Sequence, residues 1–188
     1  THSFLSLSGS TGLIRMPSAE VTPHGEFRAG YFSSRQSDII SQYGNSTTYG
    51  ATFGMFPGLD FGFDVGNLRQ RTDLTANAKY QLIHEHSFTP NVTFGVFEAS
   101  KLNTSNAYYL AVGKHFLSDR LNLTAGLVKR SDLGTKPYGG IEFALFPFLD
   151  AVGERDIDTI NYGLRAHFRG LSAMLEHRKT GLGVIAGF

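Results

Sequence analysis

The sequence ends on Gly181-Leu182-Gly183-Val184-Ile185-Ala186-Gly187-Phe188, and the interpretation of the whole chain starts from this stretch. Successive side chains of a β-strand point to opposite faces. Leu182, Val184, Ala186 and Phe188 would therefore share one face, and glycines dominate the other. The alternation predicts a β-strand that is apolar on one side and small on the other.

An apolar alternating strand that closes on an aromatic residue resembles the assembly signal of bacterial outer-membrane β-barrels. The resemblance implies that Leu182, Val184, Ala186 and Phe188 are recognised by the barrel assembly machinery and that this strand then closes a barrel. The alternative is an edge strand of a soluble β-protein. The rest of the sequence has to decide between these two interpretations.

The composition excludes several classes of protein. The 17 Lys and Arg residues nearly balance the 16 Asp and Glu residues, so no basic excess indicates nucleic-acid binding. Cysteine is absent, which excludes disulfides, thiol nucleophiles and cysteine metal ligands. No apolar run approaches the roughly 18 residues that a membrane-spanning helix needs. A length of 188 residues suits one folded unit.

Beyond residue 26, apolar residues alternate with small or polar ones in about twelve segments separated by turn residues. This pattern predicts an all-β protein, and most segments are near the roughly 9–11 residues of a tilted membrane strand. The segments are 27–31, 49–55, 59–65, 74–82, 92–96, 108–112, 121–127, 141–145, 149–154, 160–168, 171–175 and 181–188.

The links between these segments alternate in character. Tight links with aromatic or leucine flanks, at 56–60, 116–120, 146–150 and 168–172, alternate with longer polar links such as 33–46 and 100–105. An up-and-down antiparallel transmembrane barrel with short periplasmic turns and polar external loops produces this alternation. We therefore expect a transmembrane β-barrel over residues 26–188.

Residues 1–25 differ from the rest of the chain. Pro17 and Pro23 cannot donate to a β-ladder, so this part is not expected to be a central strand. We expect an extended N-terminal lead-in, or a plug segment that obstructs the lumen.

The residues between the apolar positions are mostly Gly, Thr and Asn with a few charges, as expected for a barrel lumen rather than a solvated outer surface. Two roles stay open for the charges: they neutralise one another and rigidify the barrel, or they line a path for a polar solute. Glu98 and Lys114 fall on the lipid-facing register, near strand ends where a charge costs less. The candidate lumen-lining residues are Arg28, Asp64, Lys79, Glu142, Arg165 and Glu176.

Two groups of neighbouring residues have side chains that occur in metal or catalytic sites, but neither group is sufficient evidence for such a site. His84-Glu85-His86 has the spacing of two metal ligands on one face of an extended segment, but it lacks a recognisable third ligand and lies in a predicted turn. Ser172, Glu176 and His177 lie close together in the sequence, as a hydrolase triad would require. We expect no catalytic residues, no metal and no cofactor.

Five stretches of the sequence carry a resemblance to a known family. They are Thr11-Gly12-Leu13-Ile14-Arg15-Met16-Pro17-Ser18-Ala19-Glu20-Val21, Gly25-Glu26-Phe27-Arg28-Ala29-Gly30-Tyr31, Gly139-Gly140-Ile141-Glu142-Phe143, Phe146-Pro147-Phe148-Leu149 and Asn161-Tyr162-Gly163-Leu164-Arg165. These stretches resemble YjbH-like outer-membrane proteins, a family associated with exopolysaccharide and capsule production. The resemblance implies a barrel that helps a polysaccharide cross the outer membrane together with periplasmic export proteins. Larger members carry several such regions, whereas this chain carries one.

We therefore expect a non-enzymatic barrel in the outer membrane, in contact with outer-membrane lipids, that assists the export or passage of an exopolysaccharide. Two alternatives stay open. One is a general small-solute channel, and the other is a closed structural barrel that acts as a scaffold for envelope partners.

Overall fold

The computed structural model describes residues 4–6, 11–34, 46–68, 71–99, 106–131, 133–157, 159–178 and 181–187. Within this part of the chain the backbone forms twelve β-strands and no helix. Each alternating segment of the sequence overlaps one strand. The strands are β1 (Phe27–Ser34), β2 (Ser46–Phe56), β3 (Leu59–Leu68), β4 (Arg71–Ile83), β5 (Asn91–Ala99), β6 (Ala107–Phe116), β7 (Leu121–Arg130), β8 (Gly134–Phe146), β9 (Leu149–Arg155), β10 (Ile160–Phe168), β11 (Leu171–Arg178) and β12 (Gly181–Gly187).

Each strand pairs antiparallel with its neighbours in the sequence, which confirms the predicted all-β, up-and-down antiparallel sheet. The first and last strands also pair, from Gly30 opposite Gly187 to Ser34 opposite Gly183, so that the sheet is a closed barrel. In β12, Val184 lies opposite Leu175 of β11 and Ala186 lies opposite Ala173. Closure leaves neither of these strands with an unpaired edge.

Tight turns connect the strands at one end of the barrel, which we call the turn rim. It carries the links after β2, β4, β6, β8 and β10. The β10–β11 turn places Arg169 and Gly170 at φ values of 47° and 87°, and two consecutive positive φ values match the twist of a two-residue hairpin. The longest link at this end, residues 84–90, follows β4. We call the opposite end the loop rim.

The two faces of the sheet differ sharply in chemistry. In β6, Tyr109 is 2% exposed and faces inward, whereas Leu110 is 41% exposed and faces outward. A soluble barrel places its apolar face inward, so this arrangement is the reverse. Other large apolar side chains exposed on the outer face include Tyr49, Phe53, Phe63, Leu74, Leu127, Leu164 and Leu175. Buried polar residues of the inner face include Thr52, Asp60, Asn77, Lys79, Thr93, Asn122, Glu154, Asn161, Arg165 and Glu176.

Glycines on the inner face make room for larger residues of neighbouring strands. A Cβ atom on Gly95 would overlap the ring of Tyr109, and a Cβ atom on Gly126 would overlap the ring of Tyr138. Each tyrosine ring therefore lies over a glycine of the adjacent strand. This packing fills part of the interior and directs Tyr138 toward the barrel centre.

No helix in the described ranges is long and apolar enough to cross a membrane, a finding that does not bear on strands.

Candidate functional site

Most of the described residues that precede β1 lie inside the barrel. We call residues 4–6 and 11–25 the plug segment. It forms hydrogen bonds with inward-facing side chains on six strands, β3, β4, β5, β8, β9 and β10, and only a segment in the lumen can reach all of them. Leu13 and Ile14 are 0% exposed although they belong to no strand.

Lys79 of β4 holds the plug segment from one side. Its ammonium group lies 2.6 Å from both the carbonyl and hydroxyl oxygens of Thr11, 3.0 Å from the carbonyl of Ser18 and 2.6 Å from that of Glu20. One side chain therefore ties together two parts of the plug that are nine residues apart. The charge of Asp60 on β3 also attracts Lys79.

Glu154 of β9 holds the plug segment from another side. Its Oε2 accepts the consecutive backbone N–H groups of Ile14, Arg15 and Met16 at 3.0, 2.9 and 2.9 Å. Its Oε1 accepts the side-chain amide of Asn161 at 3.0 Å. Successive N–H groups that converge on one oxygen form an anion-binding nest, so the carboxylate is neutralised by the plug backbone.

Three further barrel side chains bind plug backbone atoms. Asp60 accepts the N–H of Thr22 at 2.8 Å. Asn91 donates to the carbonyl of Ala19 at 2.6 Å, and Tyr138 donates to that of Pro17 at 3.0 Å. The barrel thus recognises the plug mainly through its main chain.

Arg165 of β10 and Glu142 of β8 form a buried ion pair beside the plug, with Nη1 and Oε1 2.7 Å apart. Arg165 also donates to the carbonyl of Leu13 at 3.3 Å, and its guanidinium lies 4.2 Å from the ring centre of Phe4. Asn122 donates to the second oxygen of Glu142 at 2.9 Å. The pair therefore joins two strands to the plug.

At the turn rim, His115 of β6 bridges the plug and the 84–90 link. Its Nε2 lies 2.9 Å from Glu20 of the plug and its Nδ1 lies 2.6 Å from Glu85. Partial burial would raise the pKa of the Glu85 carboxyl. Hydrogen bonds from the His115 ring and backbone N–H, supported by Lys114, outweigh this and hold that pKa below its ordinary value.

The structure divides the predicted lumen-lining residues into two groups. Lys79, Glu142 and Arg165 meet at the plug segment. Arg28 pairs with Glu26 at 2.9 Å near the start of β1. Asp64 accepts a hydrogen bond from Thr75, and Glu176 is a buried residue of β11.

Sequence reasoning missed several residues that hold the plug: Asp60, Asn91, Tyr138 and Glu154. Their alternation with outward apolar neighbours identifies them as inward-facing. It carries no information about what they bind, because their partners are main-chain atoms.

The two local groups that suggested chemistry are not assembled into sites. His177 stacks on Tyr162 of the outer face with ring centres 5.0 Å apart, whereas neighbouring Glu176 is buried, so the Ser172 triplet is split between two faces. The rings of His84 and His86 lie 5.7 Å apart, and Glu85 between them binds His115. The described residues contain no cluster of three or more His, Cys, Asp or Glu that could hold a metal ion.

The remaining predicted positions lie at strand ends. The ammonium of Lys114 is 3.1 Å from the carbonyl of Ser87 and 3.4 Å from Glu85, so the 84–90 link covers it. Glu98 belongs to β5, but its side chain lies outside the described part of the structure, as does Phe188 of the predicted assembly signal. Leu182, Val184 and Ala186 belong to β12.

Two cavities adjoin the plug at the turn rim. The larger, of about 1140 Å³, lies between the plug and the 84–90 link. The smaller, of about 300 Å³, lies beside Glu142 and Arg165. Glu20, His115 and Asp119 line both, so the Glu20–His115 pair stands at their boundary.

A model of the YjbH family, described as exopolysaccharide biosynthesis protein YbjH, matches residues 5–175. The chain belongs to the YjbH family. The match includes the plug segment as well as β1 to β10 and most of β11, so the YjbH family model treats plug and barrel as one unit. A search of curated proteins finds no match. The family name associates the chain with exopolysaccharide biosynthesis.

Replacement of Lys79 with methionine should loosen the plug. Hydrogen bonds that involve a charged group contribute about 1.5–3 kcal/mol each, so its loss should raise plug opening at least about tenfold. The chain has no cysteine, so a Ser18→Cys variant gives one buried reporter that a maleimide reaches only when the plug opens. Labelling should be faster with Lys79→Met than without it. The matched control is Lys136→Met, at an exposed lysine of β8, and equal labelling in all three proteins would contradict this role.

The contact between Glu85 and His115 should depend on acidity. The pKa of the Glu85 carboxyl is lower in the folded state than in the unfolded state, where it is near 4.5. The carboxylate therefore stabilises the folded protein at any pH above 4.5, and this stabilisation is lost as the pH falls through the folded-state pKa. Melting temperatures from pH 7 to pH 3 should show Glu85→Gln below the unmodified protein at pH 7 and level with it at the acid end. Glu26→Gln, at the other rim carboxylate, is the control. A constant difference across the range would contradict the prediction.

Proposed function

We propose that this chain is an outer-membrane β-barrel that assists the export of an exopolysaccharide and whose lumen is closed by its own plug segment at rest. The observation that carries the membrane part is the reversed distribution of polarity, with large apolar side chains outside and charges inside. The family name supports the exopolysaccharide part.

The outer face supports contact with lipid. Exposed phenylalanines, including Phe56, Phe116, Phe146, Phe148 and Phe168, lie toward the turn rim. Exposed tyrosines, including Tyr31, Tyr49, Tyr108 and Tyr162, lie toward the loop rim, and Tyr80 is an exception near the turn rim. Aromatic girdles at both water interfaces are typical of outer-membrane barrels. Short turns in such barrels face the periplasm, so we assign the turn rim to that side.

The plug argues against a permanently open solute channel. The described plug residues occupy the lumen and are held by Lys79, Glu154 and Arg165, so free passage would require these contacts to break. In our proposal a periplasmic export protein displaces the plug from the turn rim. A closed scaffold is the second candidate, and the burial of Leu13 and Ile14 in the barrel favours it.

A charge on the outer face should impair membrane assembly. Leu164 lies in the middle of β10 and is 49% exposed. An arginine near the bilayer midplane costs about 2–4 kcal/mol in such barrels. Leu164→Arg should therefore reduce the heat-modifiable folded form recovered from outer-membrane fractions, whereas Leu164→Phe should not. Normal recovery of both variants, or recovery of the unmodified protein only from soluble fractions, would contradict the membrane assignment.

The export role can be tested in an exopolysaccharide-producing strain that lacks this chain. Expression of the unmodified chain in that strain should restore secreted polysaccharide. In planar bilayers, the purified unmodified protein should show low conductance, because the plug is in place. Lys79→Met should raise the frequency of channel openings. Secretion that is unchanged by deletion would contradict the role. Restored secretion without openings in either protein would select the scaffold.

A further inference from the structure

The smaller cavity at the turn rim has the size and chemistry of a ligand site. Its volume is about 300 Å³, at the lower end of the roughly 300–1,000 Å³ of small-molecule sites. The plug contributes Phe4 and Glu20 to its wall, and barrel strands contribute Asn122, Glu142 and Arg165. It therefore exists only where plug and barrel meet.

Two buried side chains of this cavity retain unused hydrogen-bonding capacity. Asn122 is 7% exposed and Arg165 is 2% exposed. Among the described residues, the Oδ1 atom of Asn122 and the Nε atom of Arg165 have no hydrogen-bond partner. A buried polar atom without a partner costs about 1–3 kcal/mol. One acceptor and one donor thus lie beside Glu142, and a ligand hydroxyl that inserts between these side chains, both donating and accepting, would complete them.

The charges around the cavity select among such ligands. Four of its described residues are carboxylates, Glu20, Asp119, Glu142 and Asp150, and two are guanidinium groups, Arg120 and Arg165. His115 and His167 each face a carboxylate, at 2.9 and 3.4 Å. Arg165 is likewise paired with Glu142, so three of the four basic side chains already face a carboxylate, which disfavours phosphate, sulfate and uronic acids as ligands. The many polar groups disfavour a lipid chain.

One aromatic ring completes the cavity. Phe4 stacks against the Arg165 guanidinium at 4.2 Å and lies 5.4 Å from the His167 ring. Sites lined by an aromatic face and a few placed polar groups fit ligands that have both an apolar face and hydroxyl groups. A pyranose ring has both.

We infer that this cavity binds a neutral or amino-bearing sugar unit, with Asn122, Glu142 and Arg165 as its hydrogen-bonding residues. The inference rests on the proposed export function and specifies the polymer: its units are neutral or cationic rather than acidic. Since Glu20, His115 and Asp119 also line the larger cavity, further units of the same chain would extend into the 1140 Å³ space toward the turn rim. Sugar binding would then occur against the plug itself.

The test uses the full chain, refolded in detergent and checked by heat-modifiable mobility. Calorimetric titration and ligand-observed magnetic resonance would compare three disaccharide probes: cellobiose, the glucosamine disaccharide and digalacturonic acid. We expect the neutral or the amino probe to bind, and the acidic probe to bind at least about tenfold more weakly. Asn122→Ala should weaken binding by about tenfold, which corresponds to one lost hydrogen bond.

The matched control is Asn77→Ala, which also removes a buried inward-facing amide but lies on β4, outside the cavity. Unchanged affinity in Asn122→Ala, equal losses in both variants, preferred binding of the acidic probe, or no binding of any probe by folded protein would each overturn the inference. Outer-membrane recovery and secreted polysaccharide, measured on the same variants, report the proposed function separately. A barrel that supports secretion but binds none of these sugars would refute only the sugar site.

Discussion

A buried charge without a partner destabilises a protein by several kcal/mol, and the interior of this barrel contains Lys79, Glu154 and Arg165 at 2% exposure or less. Within the barrel, Glu142 pairs with Arg165 and Asn161 donates to Glu154. Main-chain atoms of the plug segment supply further partners to all three charges: carbonyl oxygens to Lys79 and Arg165, and N–H groups to Glu154. The barrel and its plug are therefore energetically dependent on each other. The plug also hydrogen-bonds its otherwise unpaired backbone through the same contacts.

The same dependence links the inner face to the outer one. A strand with period-two alternation must turn its apolar side chains away from the face that carries the charges. Because the charged side chains face the plug, residues such as Leu110 and Leu164 lie exposed on the outer face of the sheet. Closure through β1 and β12 completes this arrangement, because the facing edges of these strands pair with each other from Gly30 opposite Gly187 to Ser34 opposite Gly183.

The sequence predicts the strands well because alternation is a local property that each segment carries for itself. It also predicts that Lys79, Glu142 and Arg165 face inward. It does not predict what they bind: Lys79 and Thr11 are 68 residues apart, and Arg165 and Leu13 are 152 apart. Because the plug contributes main-chain atoms, its side chains leave no matching pattern. Likewise, the cluster around Glu85 suggested a local metal site, whereas its actual partner, His115, lies 30 residues away.

Recognition of the plug through its main chain has a consequence for how this sequence can change. Ile14, Arg15, Met16 and Thr22 are held through N–H groups that any residue other than proline would provide. Ala19 is held through a carbonyl oxygen that every residue has. The lumen residues that hold them contribute side-chain atoms, which few replacements reproduce. Substitutions at these plug positions are therefore limited mainly by side-chain volume, as where Gly140 leaves space for Leu13. Substitutions of the lumen residues that hold the plug are limited by the need for the same hydrogen-bonding groups.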